Sequence, residues 1–131
     1  MKQPGFNFGK SEKLCSRKII DRLFERGEAF MAFPLRVQFM LAELPENVPA
    51  QVMFSASKRR FKRAVKRNLL KRRMREAYRL NKQPLMDVLE EKDVQLGVAF
   101  LFVSKEELDY DSIEKAMKKA IQKLVNEVEK R

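Results

Sequence analysis

The chain has 131 residues, with 29 Lys and Arg against 18 Asp and Glu, and a formal net charge of +11. A hydrophobic content of 44% is ordinary for a folded globular chain, and no run approaches the roughly eighteen apolar residues of a membrane-spanning helix. Histidine is absent, which removes the commonest general base and metal ligand, and the single cysteine, Cys15, makes neither an internal disulfide nor a zinc site.

In chain order, residues 1–10 read as a mobile tail that lacks the apolar core of a secretory signal. The stretch "SRKIIDRLFERG" predicts a short helix, with Ser16 as N-cap and Gly27 as the residue just past its end. Ile19, Ile20, Leu23 and Phe24 give that helix one apolar side. "LRVQFMLA" (35–42) alternates as a half-buried strand does, and "AQVMFSAS" (50–57) reads as a second strand, antiparallel to the first across the short link "LPENVP". A long basic helix follows, and Pro84 then starts or breaks a short helix near 84–91. "VQLGVAFLFV" (94–103) is apolar almost throughout, as expected of a strand buried on both faces. The last segment is an amphipathic helix with a capping arrangement at Asp111 and Glu114. Its stripe is Ile113, Ala116, Met117, Ala120, Ile121, Leu124 and Val128. The order predicts one α+β domain over 1–131, an α-β sandwich of helices on a mixed sheet.

The charge is local. Residues 58–82 hold thirteen Lys and Arg and one Glu, a sum of +12, so the other 106 residues sum to −1 against the total of +11. Such a segment calls for a polyanionic partner. At about 100° per residue, with Val65 at zero, Asn68, Lys71, Arg72, Arg75 and Arg79 fall together in an arc of roughly 240–340°. Leu70, Met74, Ala77 and Tyr78 form one apolar side, and Phe61, Val65 and Leu69 another near zero. Both apolar sets are expected to anchor the helix in the core. Side chains three and four apart stand about 5–6 Å from each other, a spacing that suits successive phosphates, and arginine can grip each phosphate with two hydrogen bonds. The acids Glu90, Glu91 and Asp93, and then Glu106, Glu107, Asp109 and Asp111, lie at predicted helix ends and turns, where they serve capping and solubility. No residue set for protein-borne catalysis or metal binding emerges, and no glycine-rich phosphate loop is present.

"AVKRNLLKRRMRE" (64–76), following "SASKRR", resembles the signature of the bacterial ribonuclease P protein subunit through Ala64, Val65, Arg67, Asn68, Lys71, Arg72, Arg75 and Glu76. The third member of that family's Arg-Asn-Arg triplet is Leu69 here. The resemblance implies a sheet of about four strands with a left-handed βαβ crossover, the ribosomal protein S5 domain 2-like arrangement. It implies a protein that binds a catalytic RNA, ribonuclease P RNA, and assists endonucleolytic removal of the 5′ leader of precursor tRNA, with Mg²⁺ bound mainly by the RNA. RNA-binding residues would be Lys58, Arg59, Arg63, Arg67, Asn68, Lys71, Arg72, Arg75 and Arg79. A cleft between the first helix and the sheet would hold the leader through Ile20, Phe24, Gln38 and Phe54. Neither membrane nor DNA is an expected partner, and the compartment is the cytoplasm, where a lone thiol stays reduced. Another cytoplasmic RNA-binding protein, of ribosomal or RNA-assembly type and without a role in tRNA processing, would share the basic helix.

Overall fold

A computed structural model describes residues 8–131. Most of the expected N-terminal tail lies outside these residues. Near its end, Phe8 packs edge-on against Phe54 and Tyr78, and Lys10–Glu12 form a single 3-10 turn. Helix α1 spans Arg17–Arg26, and the Ser16 hydroxyl caps it by accepting from the Ile19 N–H. Gly27 closes it at a negative φ of −70°. Glycine is needed there for space, since a Cβ would stand 2.4 Å from the Leu23 carbonyl oxygen.

Four strands follow: β1 (Glu28–Ala32), β2 (Leu35–Leu41), β3 (Ala50–Ala56) and β4 (Leu96–Phe102). Between the last two lie α2 (Ala64–Asn81) and α3 (Gln83–Lys92), and α4 (Tyr110–Glu129) ends the fold. The sheet order is β1-β2-β4-β3. β1 and β2 form an antiparallel hairpin, β2 and β4 pair antiparallel, and β3 pairs parallel with β4. The two strands expected as direct antiparallel neighbours, β2 and β3, therefore run in opposite directions but do not touch, because β4 lies between them. The Gln95 side chain holds their link in place through the Leu44 N–H and the carbonyls of Glu46 and Val48. β1 was not expected as a strand.

Alternation along the strands sorts the sheet into two faces. Leu35, Val37 and Phe39 of β2, Val52 and Phe54 of β3, and Leu96, Val98, Phe100 and Phe102 of β4 meet α2, α3 and α4 in the main core. The seven-residue stripe of α4 is buried there throughout. Ala99, Met40, Met53 and Leu101 point the other way and meet Leu14, Ile19, Ile20 and Leu23 in a smaller cluster under α1. The cap of α4 is Asp109 rather than Asp111. Its carboxylate accepts from the Ser112 N–H at 2.9 Å, which holds it below the usual carboxylate range.

Candidate nucleic-acid interface

The basic segment divides into a loop, residues 57–63, and helix α2. Leu70, Met74, Ala77 and Tyr78 are buried and seat the helix. Each large side chain of that set contributes about 1.5–3 kcal/mol of burial. Phe61 lies in the loop, buried with its ring 5.8 Å from that of Phe102. The other half of the expected anchorage is not in the core: Val65 is 78% exposed and Leu69 is half-buried. The buried set centres on the opposite side of α2 from Val65, so the core never reaches it.

Several cations of the segment are held within the protein. Lys66 and Arg73 pair with Glu107, at 2.5 and 3.0 Å, and Arg73 also donates to the Leu108 carbonyl. These two cations hold the Glu107 carboxyl below its ordinary 4.5, the Lys66 bond contributing most. Arg79 grips Glu76 with two bonds, at 2.9 and 2.8 Å, and Lys82, buried, pairs with Glu12. Arg60 donates to the Val103 carbonyl. Arg67 reaches back to the carbonyls of Phe61 and Lys62, at 2.8 and 2.9 Å, and so fastens the loop to the first turns of α2.

What remains faces out. The side chains of Lys58, Arg59, Lys62, Arg63, Lys71, Arg72 and Arg75 make no hydrogen bond or ion pair among the described residues, and the same holds for Asn68. Asn68, Lys71, Arg72, Arg75 and Arg79 share the face of α2 turned from the core, as the wheel predicts, with Lys71 and Arg79 half-buried. The first turn of α2 has neither a capping side chain nor an acid, so the positive end of its dipole adds to the loop cations. Sequence reasoning missed Lys62 as a free cation of the loop. It also could not see that Lys66, Arg73 and Lys82 are neutralised, since their partners lie 34 to 70 residues away.

Glu107→Gln tests this partition. The Glu107 carboxyl is depressed in the folded state, so its contribution is present above the unfolded value and is lost as pH falls through the folded one. The thermal midpoint of Glu107→Gln is expected below that of wild type at neutral pH. The gap should close as pH drops below 4.5.

On the other face of the sheet, α1 covers the rows through Gly97 and Ala99. The next row, Met31–Arg36–Leu101–Ser55 in cross-strand register, is left open beside it: Met31 and Arg36 are exposed, and Leu101 and Ser55 half-buried. Phe24, 42% exposed, and the half-buried Ile20 lie on α1, which flanks this trough. Gln38 is buried at its wall and donates to the carbonyls of Leu23 and Phe24. Phe54 does not belong with them. It projects to the opposite face and stacks on Phe100 at 5.7 Å, so Met53 and Ser55 supply the trough side of β3.

An α-β sandwich that buries one side of a cationic helix and turns Lys71, Arg72 and Arg75 outward without partners among the described residues has the electrostatic footprint of a nucleic-acid-binding protein. The ribonuclease P family model matches residues 8–125, and the chain belongs to that family. It is 42% identical to the ribonuclease P protein component of Porphyromonas gingivalis over 125 residues, covering 95% of this chain and 91% of the relative. It is 35% identical to that of Chlorobium phaeobacteroides over 102 residues, covering 72% and 70%. Among solved structures, the Staphylococcus aureus RNase P protein is similar with a TM-score of 0.65 at 17% identity, over 88% of this chain and 95% of that one.

Proposed function

We infer that the chain is the protein subunit of ribonuclease P, that it binds the catalytic RNA, and that it helps that RNA remove the 5′ leader of precursor tRNA. The observation that carries this is the set of unpartnered cations on α2 and its loop, at the end of β3, which also floors the open trough beside α1. The loop and the outer face of α2 neutralise phosphates of the RNA. The trough takes the unpaired leader, with the Phe24 ring for stacking and the Arg36 guanidinium for a phosphate. Water attacks the scissile phosphodiester, leaving a 5′ phosphate on the mature tRNA and a 3′ hydroxyl on the leader.

In this reading the protein contributes no catalytic group. Among the described residues no three His, Cys, Asp or Glu side chains group so as to hold a metal ion, and in this reading the Mg²⁺ is held mainly by the RNA. A double-helical DNA partner is disfavoured because a helix-turn-helix needs a helix just before its recognition helix, and β3 with a loop stands there instead. A free, exposed Cys15 fits a reducing cytoplasm, and no helix among the described residues is long and apolar enough to cross a membrane.

The trough is tested by comparing holoenzyme affinity for precursor tRNA with that for mature tRNA. Phe24→Ala combined with Arg36→Ala is expected to cut the preference for the precursor by about 10-fold. An unchanged preference would contradict the leader assignment.

A further inference from the structure

Val65 is the most exposed of the exposed large hydrophobic side chains of the described residues, and it stands in the most cationic segment of the chain. A lone exposed valine needs no explanation. This one is not alone. Leu69, half-buried, lies one turn further along the same edge, and Arg72 continues the line on the next turn. From Val65 to Arg72 the platform runs about 10 Å along α2. On one side Lys66 and Arg73 are pinned by Glu107, which leaves a fixed and neutralised wall. On the other side, Asn68 and Arg75 point outward without partners, and Lys62 and Arg63 stand before the first turn.

We propose that the Val65–Leu69 edge seats an unpaired nucleobase of ribonuclease P RNA. The inference rests on the ribonuclease P reading above and adds a contact that is not ionic. Cations as close as Lys62, Arg63, Arg72 and Arg75 bring phosphates to both ends of the edge, and repel a second copy of the same surface. A helical RNA stacks its base faces away and presents backbone, 2′-hydroxyls and polar base edges, which an aliphatic edge does not hold. An unstacked base exposes a flat, weakly polar face that packs on Val65 and Leu69, while Lys62 and Arg63 take the phosphate on one side and Arg72 and Arg75 the phosphate on the other. Leu69, which stands where the family triplet has an arginine, supplies the larger part of that apolar seat.

The test uses the full chain and full-length ribonuclease P RNA, with affinity measured across a salt series and the reactivity of unpaired bases read by chemical probing. Val65→Ser with Leu69→Ser is expected to weaken binding by about 10-fold without changing the salt slope, because no counterion-releasing group is removed. At least one base protected by wild type should become reactive again. Arg72→Ala, by contrast, lowers the slope by about one. Should the half-buried Leu69 prove necessary for folding, Val65→Ser alone gives the same reading at a site with no core contact. Unchanged affinity, a loss accompanied by a lower slope, or a wild-type protein that dimerises through this edge overturns the proposal. Failure of wild type to bind the RNA at all would instead overturn the ribonuclease P reading beneath it.

Discussion

Arg72→Ala combined with Arg75→Ala is expected to weaken binding to ribonuclease P RNA by roughly 30- to 100-fold and to lower the salt slope by about two. Both side chains are exposed on the outer face of α2 and make no hydrogen bond or ion pair among the described residues. Their removal therefore leaves the folded protein intact, and the thermal midpoint should be unchanged. Each contact to phosphate releases about one counterion, so the lost affinity should be largest at low salt and shrink as salt rises. Arg67→Ala behaves differently. Arg67 fastens the loop through the carbonyls of Phe61 and Lys62, so its loss also misplaces Lys58, Arg59, Lys62 and Arg63. Its slope should fall by more than the single charge removed. Unchanged affinity and slope in Arg67→Ala, Arg72→Ala and Arg75→Ala alike would remove α2 from the RNA interface.

Tyr78→Ala is expected to cost about 3–5 kcal/mol of stability, a large part of what a domain this size possesses. The side chain is fully buried, and its ring lies 5.8 Å from Phe8, 6.0 Å from Phe54 and 5.7 Å from Phe100. It joins α2 to the sheet and to the segment that runs along the outer edge of β3. Burial also pushes its hydroxyl far above the ordinary range, so no ionised form contributes at any usable pH. Denaturant unfolding should show a lower midpoint at an unchanged m-value. RNA affinity should fall only in proportion to the unfolded fraction, which separates this residue from the outer face. A variant as stable as wild type would contradict the seating of α2 described above.

How much of this was legible in the sequence depended on the range of the interaction. β4 was legible because a strand covered on both faces must be apolar at nearly every position, and the α4 stripe because each of its seven residues repeats the helical period. β1 was not. It is a five-residue edge strand with mixed exposure, and neither alternation nor length separates "EAFMA" from a loop before Pro34. The wheel placed Val65 and Leu69 correctly in angle, but angle alone does not say which arcs the rest of the protein covers. The family resemblance maps Phe54 onto the cleft. Its face is decided by the register of β3 on β4, where Phe54 is opposite Phe100, and by the choice of α1 for the other side. The ion pairs that remove Lys66, Arg73 and Lys82 from the free charge join distant segments, and no local pattern announces them.

We propose that this protein supports a reaction whose chemistry belongs to RNA. It is tested most directly by cleaving a precursor tRNA at low Mg²⁺ with a bacterial ribonuclease P RNA alone, with this protein alone, and with both together. Cleavage at the mature 5′ end only when both are present is the expected result. Cleavage by the protein alone, or no stimulation of the RNA by a protein that binds it tightly, would contradict it.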